Sequence, residues 1–94
     1  MYASVRVYAG NPAFADALVE RESDVKALIS GIQGFEAYYL IKTADGTASV
    51  SVYQSQDGAE ESNRVAAAWI VENLPQFAGT AAPQISAGEV VISA

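Results

Sequence analysis

The sequence predicts a small α+β domain in which four antiparallel strands carry two helices on one face of the sheet. The chain has 94 residues, of which 51% are hydrophobic and 17% charged, so one folded domain is expected to span residues 1–94. Segments with a hydrophobic period of two alternate with segments of helical period in the order β-α-β-β-α-β. An Asp-Gly pair between the second and third strands predicts a hairpin there.

The first strand, Tyr2 to Tyr8, is predicted from strict alternation of its side chains. One face carries Ala3, Val5 and Val7, and the other carries Ser4, Arg6 and Tyr8. The segment Gly10-Asn11-Pro12 ends the strand, because the Asn suits a helix cap and the Pro suits the first helical position. The first helix is expected to end near Gly31 or Gly34. Its apolar residues recur at helical spacing and are Phe14, Leu18, Val25, Leu28 and Ile29.

The second and third strands are predicted at Phe35 to Thr43 and Thr47 to Tyr53, where aromatic and β-branched residues are frequent. The turn Ala44-Asp45-Gly46 joins them as an antiparallel pair. In the third strand Ala48, Val50 and Val52 point one way, and Thr47, Ser49, Ser51 and Tyr53 point the other.

The second helix is expected to begin at Ser55 or Asp57 and to end near Asn73. Its apolar stripe consists of Val65, Ala66, Trp69, Ile70 and Leu74. A loop is predicted from Pro75 to Pro83, followed by a fourth strand from Gln84 to Ser93 with a bulge at Gly88. The element order is that of ferredoxin-like domains.

The strands are expected to turn their Ala/Val faces toward the helices, together with Phe35, Ala37, Tyr39 and Ile41. The opposite face would then hold serines and tyrosines, including Tyr38, which favours a homodimer that covers it. Arg6 would lie on that dimer face and pair with Glu36 or Glu89. The alternative is an anion-binding arginine inside the protein.

Composition excludes several classes of function. Five Lys plus Arg against eleven Asp plus Glu give a net charge of −6, which disfavours nucleic acid and anionic membranes as partners. The sequence has no Cys and no His, so thiolate chemistry, the usual hydrolytic triad and most metal ligation are not expected. No metal and no cofactor are predicted. No apolar run is long enough for a signal peptide or a membrane span, and a cytoplasmic location is therefore expected.

The element order, the Gly34-Phe35-Glu36-Ala37-Tyr38-Tyr39 segment, the hairpin strand Ser49 to Tyr53 and the Trp-bearing second helix together carry a resemblance. The chain resembles the dimeric α/β-barrel superfamily, and in particular small proteins related to the antibiotic-biosynthesis monooxygenases. The resemblance implies two sheets packed across a dimer, with a pocket between the sheet and the helices of each subunit. The haem-degrading branch uses a His ligand that this sequence lacks.

The same resemblance implies a set of site residues. In the cofactor-independent enzymes an Asn and a Trp of the second helix are implicated, and Asn63 and Trp69 are the corresponding candidates for catalytic residues. Six residues of helix turn these two side chains about 120° apart, so direct cooperation between them is not expected. Tyr39, Phe35 and Phe14 are the candidates for the substrate-pocket wall.

Two functions are consistent with these residues. The first is a cofactor-independent monooxygenase acting on a small aromatic substrate of the polyphenol or quinone type, in which the protein binds the substrate and stabilises its anion. The alternative is a non-catalytic dimeric module that binds a small ligand or is purely structural. Pocket volume distinguishes the two, since an open chamber beside Trp69 would favour a ligand and a filled one would not.

Overall fold

The computed structural model describes residues 1–10, 12–78 and 83–94. In chain order the elements are β1 (Tyr2–Ala9), α1 (Ala13–Glu20), α2 (Glu22–Ser30), β2 (Phe35–Lys42), β3 (Gly46–Tyr53), α3 (Gln56–Asn73), α4 (Pro75–Ala78) and β4 (Gln84–Glu89). The strands form one antiparallel sheet in the order β2-β3-β1-β4. The predicted ferredoxin-like arrangement is confirmed. Among the described residues, no helix has the length and apolar character that crossing a bilayer requires.

The helices depart from the prediction at two places. The first predicted helix is interrupted at Arg21, whose backbone (φ −110°, ψ 29°) lies outside the helical region, so α1 and α2 are separate. The predicted loop after Pro75 contains the short helix α4. The predicted cap residue Asn11 lies outside the described residues.

The strands also depart at two places. The β1–β4 register is continuous through Gly88, so the predicted bulge there is wrong, and β4 ends at Glu89 rather than Ser93. The irregularity lies instead in β2, where the register with β3 shifts between Phe35 and Ala37. Glu36 is therefore the extra residue of a bulge.

This bulge determines which β2 side chains lie under the helices. Phe35 is paired with Tyr53, and their rings meet edge to face with centroids 5.9 Å apart. Beyond the bulge, Ala37 and Tyr39 are opposite Val52 and Val50, so they lie on the other face. Strict alternation from Phe35 had placed four β2 residues on the helix side. That prediction holds for Phe35 and is wrong for Ala37, Tyr39 and Ile41.

The predicted orientation of the sheet is wrong as a whole. The side covered by the helices carries the polar residues, and Ser4, Arg6, Thr47, Ser49 and Ser51 are all buried. The opposite side, which we call the open face, carries Ala3, Val5, Val7, Ala37, Tyr39, Ile41, Ala48, Val50 and Val52. Tyr39 on this open face is 63% exposed. The alternation of polar and apolar residues shows only that the two faces of the sheet differ. The packing of the helices determines which face is covered.

Two apolar clusters flank the polar centre of the covered face. The first consists of Tyr8, Phe14, Leu18, Val25 and Leu74, with Trp69 and Phe77 packed against it. The second consists of Ile29, Tyr53 and Ala59, with Tyr2 and Phe35 packed against it. Along β1, Arg6 and Ser4 lie between Tyr8 of the first cluster and Tyr2 of the second. The guanidinium of Arg6 is therefore inside the hydrophobic core.

Candidate functional site

Arg6 lies in the middle of β1 beneath α3 and is only 2% exposed. Its Nε donates to Ser49 Oγ at 3.1 Å, and its Nη2 donates to Ser51 Oγ at 2.9 Å. Its Nη1 donates to Asn63 Oδ1 at 2.8 Å and to Ser62 Oγ at 3.3 Å. All four acceptors are neutral oxygens. The predicted interface ion pair of Arg6 is therefore wrong, and the alternative of an anion-binding arginine stays a prediction.

No carboxylate balances this charge. All eleven Asp and Glu residues lie within the described parts of the chain, and none of them forms an ion pair with Arg6. The cations that do have carboxylate partners there are Arg21, Lys26, Lys42 and Arg64, whose side chains are all more than a third exposed. A guanidinium stays protonated in proteins, and burying an ion without a counter-ion costs several kcal/mol.

The amide of Asn63 has a defined orientation because its neighbour is Arg6. Asn63 Oδ1 accepts from Arg6 Nη1 and also from Ser4 Oγ at 2.7 Å. A guanidinium can only donate, so the amide oxygen must face it and the Nδ2 group must face the other way. The two N–H groups of Nδ2 form no hydrogen bond with the described residues, and Asn63 is only partly buried. Asn63 is thus an oriented hydrogen-bond donor.

Asn63 and Arg6 line a cavity of about 250 Å³ between the sheet and α3. The other lining residues are Tyr8, Ala67, Ile70, Val71, Ala78, Pro83 and Ile85. We call this space the Asn63 cavity. Ligand pockets typically enclose ~300–1,000 Å³, so this cavity suits a compact ligand. Among the described residues, its walls are apolar apart from Arg6, Asn63 and the Tyr8 phenol.

Trp69 lies on a different and much smaller cavity, of about 30 Å³, which has room for one water molecule. Phe14 also lines this small cavity, and its ring packs edge to face on Tyr8 with centroids 4.9 Å apart. The outer side of Trp69 is covered by Arg21, whose guanidinium carbon lies 5.3 Å from the ring centroid. Trp69 also lines a wide surface groove of about 510 Å³ with Arg21 and Asn73, but the enclosed space beside it is too small for a ligand, which by the pocket-volume criterion does not favour a ligand beside Trp69.

The structure does not bring Asn63 and Trp69 into one cavity, which agrees with their angular separation on the helix. The two cavities do share Arg6, Tyr8 and Ile70 as a common wall. The other two pocket candidates lie away from both: Phe35 packs in the second apolar cluster, and Tyr39 lies on the open face.

The tyrosines around Arg6 are neutral at physiological pH. Burial raises the pKa of Tyr8, and the charge of Arg6 opposes that rise only in part. Burial likewise raises the pKa of Tyr38. The charge of Arg6 and a hydrogen bond with Arg6 lower it, but by less. Tyr53, whose hydroxyl donates to the carbonyl of Ile29 at 2.7 Å, has its pKa raised to about 12 by burial. None of these phenols supplies a negative charge to Arg6.

The site therefore combines one fixed positive charge, one oriented amide donor and a neutral phenol. Such a set can bind an oxygen acid and favour its ionised form, because a nearby cation stabilises the anion. Among the described lining residues of the Asn63 cavity, no side chain is a base at neutral pH. The arrangement acts on the ionisation of a ligand electrostatically and does not remove its proton by general-base catalysis.

Sequence reasoning missed the serines that surround Arg6. Ser4 and Arg6 share a face of the first strand, and this polar stripe was predicted to face away from the helices, at a dimer interface. A second signal was available in α3, where the small residues Gly58, Ser62 and Ala66 recur every four residues and are buried against the sheet. A Cβ on Gly58 would come within 3.0 Å of the Tyr53 ring, so α3 approaches the polar face closely.

The fold and site define an α+β domain of the ferredoxin-like class, with its cavity between the sheet and the second long helical segment. No protein-family model matches the sequence, and no curated protein sequence matches it significantly. Solved structures do match over nearly the whole chain. NE2512, a protein of unknown function from Nitrosomonas europaea, aligns with a TM-score of 0.71 and 18% identity, covering 99% of this chain and 91% of that one.

Two further structures extend this comparison. An asparagine-to-alanine variant of SnoaB, a cofactor-independent oxygenase from Streptomyces nogalater, aligns with a TM-score of 0.66 and 12% identity over 98% of this chain and 94% of that one. A dimeric ferredoxin-like protein from an uncultured marine organism aligns with the same TM-score and identity over 98% and 95% of the two chains. The predicted likeness to antibiotic-biosynthesis monooxygenase-like proteins of this fold is confirmed at the level of structure.

Proposed function

We propose that this protein is a cofactor-independent monooxygenase that acts on a small aromatic substrate of the polyphenol or quinone type in the Asn63 cavity. The observation that carries the proposal is the Asn63 amide, which Arg6 orients so that its two N–H donors face away from the guanidinium at the cavity wall. The similarity of the fold to that of the oxygenase SnoaB supports the same assignment.

The chemistry matches the groups available. An electron-rich phenol or enol, once ionised, can itself transfer an electron to dioxygen, so the protein has to bind the anion, orient it and exclude water. In a net oxygenation of a methylene carbon, CH2 plus O2 gives C=O plus water. One oxygen atom enters the product, and the two displaced hydrogens leave in the water. Asn63 would donate to the substrate oxygen that carries the negative charge.

We assign supporting roles to the aromatic candidates. Arg6, Tyr8 and Ile70 separate the Asn63 cavity from the small cavity. Trp69 and Phe14 line the small cavity, and their packing there holds this common wall in place. Phe35 holds the start of β2 against Tyr53. Tyr39 lies among apolar neighbours on the open face, where we propose that a second copy of the chain covers it.

A non-catalytic ligand-binding dimer is the second candidate function. The observation that favours it is the lack of a base among the described residues of the Asn63 cavity. A carrier needs an oriented donor and a charge but no group that moves a proton. The two candidates share the ligand site and differ in whether the bound ligand consumes dioxygen.

Oxygen uptake with an anthrone and a hydroquinone panel separates the candidates, with binding followed by the fluorescence of Trp69. We expect saturable binding and the incorporation of one labelled atom from ¹⁸O₂ into the product. Asn63→Ala should lower kcat by about 100-fold, the usual cost of losing an oxyanion donor.

Gln56→Ala, which removes an exposed amide from the first turn of the same helix, is the matched control and should leave kcat unchanged. Binding without oxygen uptake would favour the carrier. The absence of binding across the panel would overturn both candidates.

A further inference from the structure

The buried charge of Arg6 has hydrogen-bond partners but no counter-ion. We propose that the Asn63 cavity is an anion site, which takes a compact aromatic ligand as its monoanion and receives the missing negative charge from an ionised oxygen of that ligand. This inference rests on the proposed function only in taking the Asn63 cavity as the ligand site, and it does not require catalysis. The ionised oxygen is a phenolate, an enolate or a carboxylate.

The serines around Arg6 satisfy its N–H groups without neutralising it. Ser62 Oγ donates its own hydrogen to the carbonyl of Ala59 at 2.6 Å, and Ser4 Oγ donates to Asn63. Their lone pairs and those of Ser49 and Ser51 are acceptors, and none of these oxygens is charged. Three serine oxygens accept from Arg6, and with Asn63 Oδ1 they use four of the five N–H donors of its guanidinium. The core thus accommodates the shape of Arg6 and leaves its charge uncompensated.

The charge acts toward the cavity through Asn63. Arg6 and Ser4 both donate to Oδ1, and donation to an amide oxygen polarises the amide and strengthens its N–H groups as donors. Arg6 itself is also part of the cavity lining. Ala67, Ile70, Val71 and Ile85 make much of the described wall apolar, so an anion beside them is only weakly screened from the guanidinium.

A purely structural role explains this arrangement less well. An arginine buried for stability is normally paired with a carboxylate, since an unpaired one is costly. The chain has eleven carboxylates and uses none at Arg6. The titratable groups that Arg6 influences are Tyr8, Tyr38 and Tyr53, and burial keeps each of them neutral. Arg6 thus carries an unpaired charge beside the Asn63 cavity. This arrangement is expected where the bound ligand itself supplies the counter-ion.

The test uses 4-nitrophenol, whose ionised form is coloured and therefore reports its own protonation when bound. We expect the apparent pKa of bound 4-nitrophenol to fall by at least one unit, which corresponds to a tenfold preference for the ionised form. A second pair of probes, 2-naphthoate and 2-naphthamide, has matched shape and differs in charge. The carboxylate should bind at least tenfold more tightly than the amide, which would extend the site from phenolates to carboxylates.

Two variants remove the positive field by different means. Arg6→Met replaces the cation with a neutral side chain of similar length, and Asn63→Asp places a permanent carboxylate against it. Both should abolish the preference for the ionised probe. Arg64→Met is the matched control, because it removes an exposed arginine of the same helix that is paired with Glu61. It should retain the full preference. If Arg6→Met does not fold, Asn63→Asp alone provides the comparison.

The outcomes separate this inference from the proposed function. Equal affinity for the ionised and neutral probes, or a preference that survives both variants, would overturn the anion site while leaving an aromatic-binding cavity intact. Failure of both forms of every probe to bind would overturn the ligand cavity itself, and the proposed function with it.

Discussion

The two faces of the sheet contrast in a way that reverses the usual arrangement. The covered face holds serines, a threonine and Arg6 beneath the helices, whereas the open face holds alanines, valines, Ile41 and the 63%-exposed Tyr39. A monomer that only needed a stable core would turn the second set inward. The covered face therefore holds the polar side chains of the sheet, and the open face leaves a set of apolar side chains without cover from the helices.

The covered face carries both the proposed ligand site and the two apolar clusters that stabilise the domain. Hydroxyls under α3 contribute little apolar burial, so the covered face depends on the two flanking clusters for its hydrophobic stabilisation. The open face has unused apolar area that a second copy could bury. Each face can be altered separately, and the expected effects differ in size and in kind.

The largest effect is expected from a charge on the open face. Val50→Asp places a carboxylate between Val5 and Tyr39 on the two neighbouring strands, and a two-fold dimer would bury it twice. Because each buried ion costs several kcal/mol, the dimer should dissociate at least about 100-fold more readily. Light scattering and sedimentation over a concentration series measure this. Val19→Asp, at an exposed valine of α1, is the matched control and should not change the mass.

A wild-type mass near that of one chain at micromolar concentration would contradict the assignment of the open face to a dimer. So would a Val50→Asp protein that stays dimeric. Either result would leave the exposed Tyr39 without an explanation.

An intermediate effect is expected on the covered face. Asn63→Asp supplies the absent counter-ion of Arg6, and hydrogen bonds to charged groups contribute more than neutral ones. The free energy of unfolding should therefore rise by about 1 kcal/mol, or roughly 4–8 °C in Tm for a domain of this size. Thermal and urea unfolding at neutral pH measure the change.

Asn73→Asp is the control for Asn63→Asp, because Asn73 accepts from Arg21, which is partly exposed and already paired with Asp24. A carboxylate at this helix C-terminus is also unfavourable to the helix dipole, so no gain is expected. A destabilised Asn63→Asp protein would show that the serines and Asn63 already compensate Arg6 fully.

The smallest effect is expected at high pH from the buried phenols of the covered face. Burial raises the pKa of Tyr53 to about 12, compared with about 10 for an exposed phenol. The unfolded chain therefore loses this proton first, and stability is complete below pH 10 and falls as the pH rises from 10 through 12. Tyr8 and Tyr38, also raised, add to the same trend.

Tyr53→Phe should flatten part of this alkaline decline in urea unfolding and cost about 1 kcal/mol at neutral pH through the lost bond to Ile29. Tyr2→Phe, at a tyrosine outside the buried core, serves as the control. An alkaline decline of the same slope in Tyr53→Phe would contradict the assignment.

The sequence was sufficient for the element order because each boundary has a local signal. The Asp45-Gly46 turn, the prolines and the alternation of β1 and β3 act over a few residues and need no knowledge of the rest of the fold. The break at Arg21 was not predictable from periodicity, since α1 and α2 keep their apolar residues in nearly continuous phase across it.

The candidate site was predicted only in part for a related reason. The resemblance named Asn63 as a candidate catalytic residue, which stays a prediction. Arg6 was assigned to the wrong face because apolar residues were expected to point inward. Alternation fixes the relative positions of Arg6, Ser49 and Ser51 and leaves the choice of side to tertiary packing. The Asn63 cavity is formed between elements distant in sequence, so no local pattern shows its volume.

Glu36, the extra residue of the β2 bulge, has an evolutionary consequence. Every β2 side chain after it occupies the face opposite to the one that simple counting from Phe35 gives. A one-codon insertion or deletion between this bulge and Tyr38 would exchange Tyr38, which lies near Arg6, with Tyr39 on the open face. In such a lineage, one mutational event would exchange the side chains under the helices for those on the open face along most of a strand.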